Sequence, residues 1–440
     1  HGANTGTVLR IENSGKSVTI SNLDIIQGLG GTGLFYKYDS NNNIIGTYNG
    51  GGAISCLSDS TLQINNLNIT DNNADYGGGI LSINDCNVNI EDSHFENNTA
   101  TINGGGIYGY STDVSVSNST FSYNNSNTDP NNIGRGGAIH LGYSNLYPVN
   151  SNISDSTFTH NNSYFGSAIH IGYNDTSSFS NNTFSSNEAT LGTVSIENST
   201  ISLTNEDFVE NIAMYGAGYY ILGSDVTASD ISLDSNTATS SPSSIDGYGG
   251  AIYIGEIYST QTASQSTWTN VQAFSNRASF GAAIMVASGT HNFIDSEFSD
   301  NEATMWGGGL YVGDLFTDTN AYTNAEVNLT DTLVSNNTSE RAGGAVSHNG
   351  ATLNCTATST GIAAGFLNNT STGATALSTI YLTNAGSFIS NLCDMDNGTT
   401  SSDNSPNDIN IWNGVSNAQF NYGDNATFEC VNIGSQYICQ

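Results

Sequence analysis

Basic residues are almost missing from this 440-residue chain. It carries six, Arg10, Lys16, Lys37, Arg135, Arg277 and Arg341, against 39 acids, for a formal net charge of −33. Such a surface lacks the cationic footprint that nucleic acids and anionic membranes demand, so neither is an expected partner. Proline is scarce at four, and no stretch of 18 apolar residues occurs, so no helix is expected to cross a bilayer. There is no initiator Met and no signal-like apolar stretch at the start. The text passes from His1 directly into TVLRIENSGKSVTISNLDI, as a processed secreted chain or a fragment of a longer one would. An N-terminal His can anchor a copper site, but no partner ligands for His1 are identifiable.

Weakly charged polar chains are often disordered. Against that, 37% of the residues are apolar and 22 Tyr and 17 Phe supply material for a core. Their spacing decides the matter, because self-similarity at a fixed period marks repeat architectures. A Gly-rich box ending in a branched residue recurs at Ile54, Ile80, Ile107, Ile139 and Ile169, degrades at Val194 and Tyr219, and returns at Ile252, Ile284, Leu310 and Val346. The gaps are 26, 27, 32, 30, 25, 25, 33, 32, 26 and 36 residues, so the unit is near 25 and the longer gaps hold insertions. A second box, FxxN, precedes each by about eleven residues, as in FENNTA from Phe95, FTHNN from Phe158 and FSDNEA from Phe298. LVSNNT from Leu333 and FLNNT from Phe366 are weaker copies. Upstream of that box runs a short alternating strand, for example Val88 and Ile90 or Val327 and Leu329.

Each unit therefore reads as three strands of three to five residues, separated by Asn/Gly/Ser turns. Strands this short bury no core alone and become stable by stacking on their copies. The expected fold is all-β, a right-handed parallel β-helix over residues 1–390. Residues 391–440, where the boxes stop, are expected to form a C-terminal disulfide-closed cap or assembly segment. Inward Ile, Val and Phe would stack in files. The box glycines suit a corner at positive φ. The Asn of FxxN suits a left-handed turn whose amide bonds its copies above and below.

The paired boxes resemble the repeats of chlamydial polymorphic outer-membrane proteins and of related β-helical surface proteins in protists and algae, over roughly residues 50–390. The resemblance implies a surface-displayed β-helix used in adhesion or as a structural element. The chain departs from the bacterial members in having no C-terminal transporter barrel.

Parallel β-helices also carry pectin-acting enzymes, so catalysis is the natural rival. Hydrolysis there wants clustered Asp residues with a His and a basic pair; no Asp-Asp pair or Arg-x-Lys exists, and the six bases are scattered. A lyase would set a Lys or Arg beside calcium held by stacked acids, and a polyanionic substrate would meet a −33 surface. No enzyme activity is expected and no catalytic residue is assigned. The seven His are isolated. His140 and His170 hold equivalent places in adjacent rungs and are expected to stack outward, solvated, with no third ligand for a metal. Asp394 and Asp396 in CDMDNG lack the further acidic ligands of a calcium loop. Structural calcium bridging acidic surfaces is compatible with the charge, without nameable ligands.

Six Cys in a secreted-looking chain read as disulfides. Cys56 and Cys86 fall in corresponding turns of neighbouring rungs, Cys430 and Cys439 would close a terminal loop, and Cys355 with Cys393 follows by elimination. Sequons number about seventeen among 61 Asn, close to chance. Of these, Asn68, Asn118, Asn181 and Asn328 have outward parity and Asn198 lies in a turn, so these five are the expected N-glycan sites in a eukaryotic host. Asn124, Asn161, Asn336 and Asn369 are the Asn of an FxxN box, where a ladder role competes.

The function expected is that of an extracellular structural or display glycoprotein, with a filament subunit joined head to tail as one form. An adhesin binding a receptor or glycan through insertions near 127–135, 239–248, 255–267 and 313–326 is the alternative. A polysaccharide-acting enzyme comes third.

Overall fold

The box isoleucines lie one above the next. In the computed structural model Ile54 pairs in register with Ile80, Ile80 with Ile107, Ile107 with Ile139 and Ile139 with Ile169, always between parallel strands. The structure describes residues 6–439 apart from 13–14, 39–43, 58, 127–132, 143–148, 174, 240–245, 258–259, 261, 314–324, 359–363, 373–379, 384–386, 392, 394–408, 413–429 and 434–435. The chain divides into two compact units, His1–Ser202 and Leu203–Gln440, and each is a parallel β-helix.

In the first unit one face stacks the box strands, including Ile54–Leu57, Ile80–Ile83, Ile107–Tyr110, Ile139–Gly142 and Ile169–Gly172. A second face files Ile69, Phe95, Phe121, Phe158 and Phe184 in register. These phenyl rings stack at 4.6, 4.9 and 5.0 Å and are fully buried. Each contributes about 1.5–3 kcal/mol through burial. In the second unit the corresponding files run Ile252, Ile284, Leu310, Val346 and Ile380, and Leu233, Ala273, Phe298, Val334 and Phe366.

The three strands read from the sequence do not map one to a face. The alternating strand and the FxxN strand are consecutive segments of the same sheet. Asn87–Glu91 pairs with the first half of the ten-residue strand Thr61–Thr70, and His94–Glu96 with its second half. A residue at positive φ bends the chain between the halves, Asn66, Asp92, Asn118 and Asp155 in successive coils. The third face comes from residues after the FxxN box, such as Asn73–Tyr76 and Thr99–Asn103. Those residues carry little apolar alternation, which hid them.

At the corner between the third face and the box face stands a glycine at positive φ. Gly104 has φ +69°, and a Cβ there would run into the Ile107 carbonyl. No L-residue with a side chain fits without strain. The FxxN corner differs from expectation by one residue. Positive φ belongs to the residue before the Asn: Asn97, Tyr123, His160 and Ser186. The Asn itself points inward and is sealed from solvent, as at Asn98, Asn124, Asn161 and Asn187.

There it builds a saturated ladder. The backbone N–H and the Nδ2 of Asn124 both donate to Oδ1 of Asn161, at 3.0 and 3.1 Å, while the second Nδ2 hydrogen donates to the Phe95 carbonyl at 3.0 Å. Asn161 repeats this toward Asn187 and the Phe121 carbonyl. The second unit has its own run, Asn211, Asn236, Asn276, Asn301, Asn337 and Asn369. Asn337, not Asn336, belongs to it, because Val334 rather than Leu333 aligns with Phe298. Asn336 is the exposed residue at positive φ beside it.

Disulfides join Cys56 to Cys86, with Cα atoms 5.9 Å apart, and Cys355 to Cys393, at 6.1 Å. Cys56 and Cys86 do not occupy corresponding turns. Cys56 lies in the box strand opposite Ser82, and Cys86 sits at the following corner. Strand register sets Cys430 opposite Cys439 in an antiparallel pair, Cys430–Ile433 with Gln436–Cys439; their side chains lie outside the described ones. Most of 391–440, including Asp394 and Asp396, also lies outside the described residues.

Replacing Asn161 by Ala strips two buried donors of Asn124 and the Phe121 carbonyl of their partner. The expected loss is at least about 2 kcal/mol, against under about 0.5 for Asn152→Thr on an exposed strand. Thermal melts followed by circular dichroism compare the two, and equal melts would deny the ladder its role.

Candidate functional site

Strand alternation sends every second side chain of the box face outward, yet many of these are buried too. In the first unit the outward file reads Ser55, Leu81, Tyr108, His140, His170 and Ser195. Five residues earlier, or four in the shortened box at Leu191, the last outward residues of the third face form another file just before the corner glycine: Tyr76, Asn103, Arg135, Phe165 and Leu191. The left-handed glycine folds one file against the other, giving a crease. Phe165 meets His170 edge-on at 5.7 Å, and Tyr76 meets Tyr108 at 4.9 Å.

The second unit repeats the device with more aromatic content. Tyr215, Tyr248, Phe280 and Trp306 file along one wall, and Tyr220, Tyr253, Met285 and Tyr311 along the other. Tyr215 meets Tyr253 at 5.4 Å and Phe280 meets Tyr311 at 5.6 Å, both nearly perpendicular. Along the walls several rings lie face to face, as with Tyr215 on Tyr248 at 4.9 Å and Tyr248 on Phe280 at 5.2 Å, while Phe280 meets Trp306 edge-on at 5.5 Å. The stacked rings among them spend a face on a neighbour of the same chain. The sequence held a signal for this crease: an aromatic or basic residue directly before the Gly box and an aromatic or His one residue after its Ile, as in FGSAIH and YGGAIY.

His140 and His170 stack at 5.0 Å and 4°, as their spacing suggested, but they are not solvated. They are 6% and 1% exposed, and His291 and His348 are also buried. Tyr108 and Phe165 cover the pair, and Arg135 sits over the Phe165 ring at 5.0 Å. Burial first, then the Arg135 charge, push His140 down to about 3. His170 is lowered by burial, by His140 and by Arg135. Burial likewise holds His291 and His348 at about 4. These imidazoles are neutral. Nδ1 of His140 has no hydrogen-bond partner among the described residues, while Nδ1 of His170 lies 3.2 Å from Ser195 Oγ. Among the described residues no group of three His, Cys, Asp or Glu is placed to hold a metal.

Two acidic features complete the chemistry. Asp59, Asp85 and Asp113 line a cleft with Ser111 and Thr112. Asp175, 2% exposed, accepts a hydrogen bond from Ser177 Oγ at 2.5 Å, and burial holds its carboxyl up at about 7 despite that bond. Of the sequon asparagines, Asn68, Asn118 and Asn181 are exposed, with Nδ2 donating to Asp24, Asp92 and Asp155 respectively. Asn198 is half-buried at φ 47°. Half-buried Asn328 donates to Asn292 at 3.0 Å and accepts from Asn354 at 2.7 Å. Asn124, Asn161 and Asn369 are sealed in the ladder.

A family model for the right-handed beta helix region matches residues 7–184, about two-fifths of the chain. The chain is a right-handed β-helical repeat protein. No curated protein and no solved structure matches it. The match rests on the β-helix itself and is not specific to the paired GGAI and FxxN boxes.

Because the unfolded histidines take up a proton near pH 6.5 and the folded ones do not until about pH 3–4, acid favours unfolding. Stability is expected to fall below pH 6.5, by at most about 1.4 kcal/mol per pH unit for each buried His. Asp175 acts oppositely, since its raised folded pKa favours the fold as pH drops from 7 toward 4. Melting temperatures between pH 7 and 4.5 should drop less for His140→Phe/His170→Phe than for the parent chain; identical slopes would show that the pair is not held neutral.

Proposed function

We propose that the chain is an extracellular structural or surface-display β-helical glycoprotein without catalytic activity. The observation that carries this reading is the pair of buried disulfides, Cys56–Cys86 and Cys355–Cys393, which belong to an oxidising compartment. Support comes from the resemblance to GGAI/FxxN surface proteins and from the exposure of Asn68, Asn118 and Asn181 for N-linked glycans. The aromatic creases support a scaffold rather than a reaction centre, since the stacked rings among them spend a face on one another.

In its filament form this reading joins copies head to tail. Leu23, at an inward position in register with the sealed Leu67, is 49% exposed, and Val8, Ile26 and Leu29 are 50, 47 and 37% exposed. A second copy stacked on this coil would cover these apolar side chains. Calcium, if it acts in such a chain, would bridge acidic surfaces between copies. The adhesin reading is favoured by one observation: Arg135, at the end of the 127–135 insertion, adds a cation to an aromatic crease in a chain with few bases.

Sedimentation of the full chain should show concentration-dependent association that Leu23→Lys with Ile26→Lys abolishes while the circular dichroism spectrum stays unchanged. A chain that stays monomeric at high concentration would eliminate the filament form. Glycopeptide mass spectrometry of native material is expected to find Asn68, Asn118 and Asn181 occupied and Asn124, Asn161 and Asn369 empty. Sugar on the ladder positions, or none anywhere, would remove the glycoprotein reading.

A further inference from the structure

The second unit holds four tyrosines in mutual contact around one corner. Tyr215 and Tyr248 pair across adjacent parallel strands, their rings stacked at 4.9 Å and 17°. Tyr220 and Tyr253 pair likewise at 5.4 Å and 16°. The two stacks meet edge-on, Tyr215 against Tyr220 at 6.3 Å and against Tyr253 at 5.4 Å. Parallel pairing in adjacent coils sets the two phenol rings nearly face to face at 4.9 Å, close enough for their radicals to meet after side-chain rotation.

We propose that Tyr215 and Tyr248 form an oxidative cross-linking site, coupled into dityrosine by a peroxidase using hydrogen peroxide. Each phenol gives up one electron and one proton. The two radicals join through ring carbons ortho to their oxygens, and the hydrogens on those carbons move to the oxygens, restoring both aromatic rings. The peroxide takes up the two electrons and two protons and leaves as two waters, so the protein loses two hydrogens. Rotation about the Cα–Cβ and Cβ–Cγ bonds closes the gap between the rings.

Three features select this pair. Tyr215 and Tyr248 are half-buried and so presented to an oxidant, whereas Tyr220 and Tyr253 are 9% and 7% exposed. The next ring in the file is Phe280, which stacks on Tyr248 at 5.2 Å but has no phenol to oxidise. The contacts with Tyr220 and Tyr253 let a radical formed on either reach the accessible pair. In the first unit the more exposed Tyr123 stacks on His160 rather than on a second phenol. The bond would tie neighbouring coils through their outer side chains, where a reductant that opens disulfides has no effect.

The test treats the full chain, diluted so that it is monomeric, with hydrogen peroxide and a haem peroxidase. The product is then digested with a protease cutting at acidic residues, since Glu210, Asp225, Asp246 and Glu256 release the two tyrosines on separate peptides. Expected are dityrosine fluorescence, a loss of two hydrogens per molecule and one cross-linked peptide pair joining Tyr215 to Tyr248. Tyr215→Phe and Tyr248→Phe should each abolish that pair, and Tyr253→Phe should retain it; all three conserve ring and volume, and circular dichroism checks their folding. A cross-link between other tyrosines, cross-links only between molecules, or oxidation of Tyr123 and Tyr173 with no intramolecular bond would each overturn the proposal.

Discussion

The buried asparagine ladder is the constraint on which the rest of the architecture depends. Each amide spends both of its Nδ2 hydrogens and both acceptor positions of its Oδ1 inside a corner closed to water, as Asn161 does between Asn124 and Asn187. In such a place an unmatched polar group costs about as much as a hydrogen bond is worth, so a coil shifted by one residue would orphan several groups together. The ladder therefore fixes the register of the Phe file one strand earlier, and through it the Ile file. Two insertions fall after a ladder Asn and before the next Gly box, between Asn124 and Gly136 and between Asn236 and Gly249. The corner is already locked there, and added chain leaves the register alone.

Besides the residues before each ladder Asn, two kinds of left-handed residue shape the coil in different ways. The corner glycines allow an approach to a backbone carbonyl that no side chain would tolerate, and they fold the third face sharply against the box face. The Asn and Asp bends within the second face are milder and outward, and a short polar side chain can adopt them. The glycine corner has a further result. Outward side chains from both of its arms converge, so each unit carries a second, outer layer of packed rings beside its interior core.

How much of this the residues disclosed depends on which side chains announce themselves. The Ile and Phe files were legible because large apolar residues recur at one period, and the box glycines because nothing else recurs so strictly before a branched residue. The third face was not legible: NADY and NEAT alternate too weakly to mark a strand, and stacking alone makes them one. The motif points to Asn336 as the ladder residue because Leu333 has the look of the inward position. Only the register, which places Val334 beneath Phe298, shows the frame to be one residue later. His140 and His170 read as solvated because alternation sends them outward, and outward means exposed unless another layer covers it. The crease formed by Phe165, Arg135 and their neighbours is that layer. Of the candidate sites, the exposure of Asn68, Asn118 and Asn181 was readable, whereas the crease left its trace only in the residues flanking the Gly box, since its two walls come from different faces brought together by a bend.

The outward column at the milder bend pairs amides with acids. Asn118 donates to Asp92, Asn181 to Asp155 and, in the second unit, Asn270 to Asp230. In the first unit, where Asn66, Asp92, Asn118, Asp155 and Asn181 alternate, these amides keep carboxylates from facing one another across a single strand spacing; in the second unit Asp295 and Asp331 do stand opposite each other. Slow chemical ageing would undo this, because hydrolysis of an asparagine side chain to aspartate replaces a donor by a second negative charge at the same point of the column. The outer bend, rather than the sealed interior, is thus where old molecules of this protein would first begin to loosen.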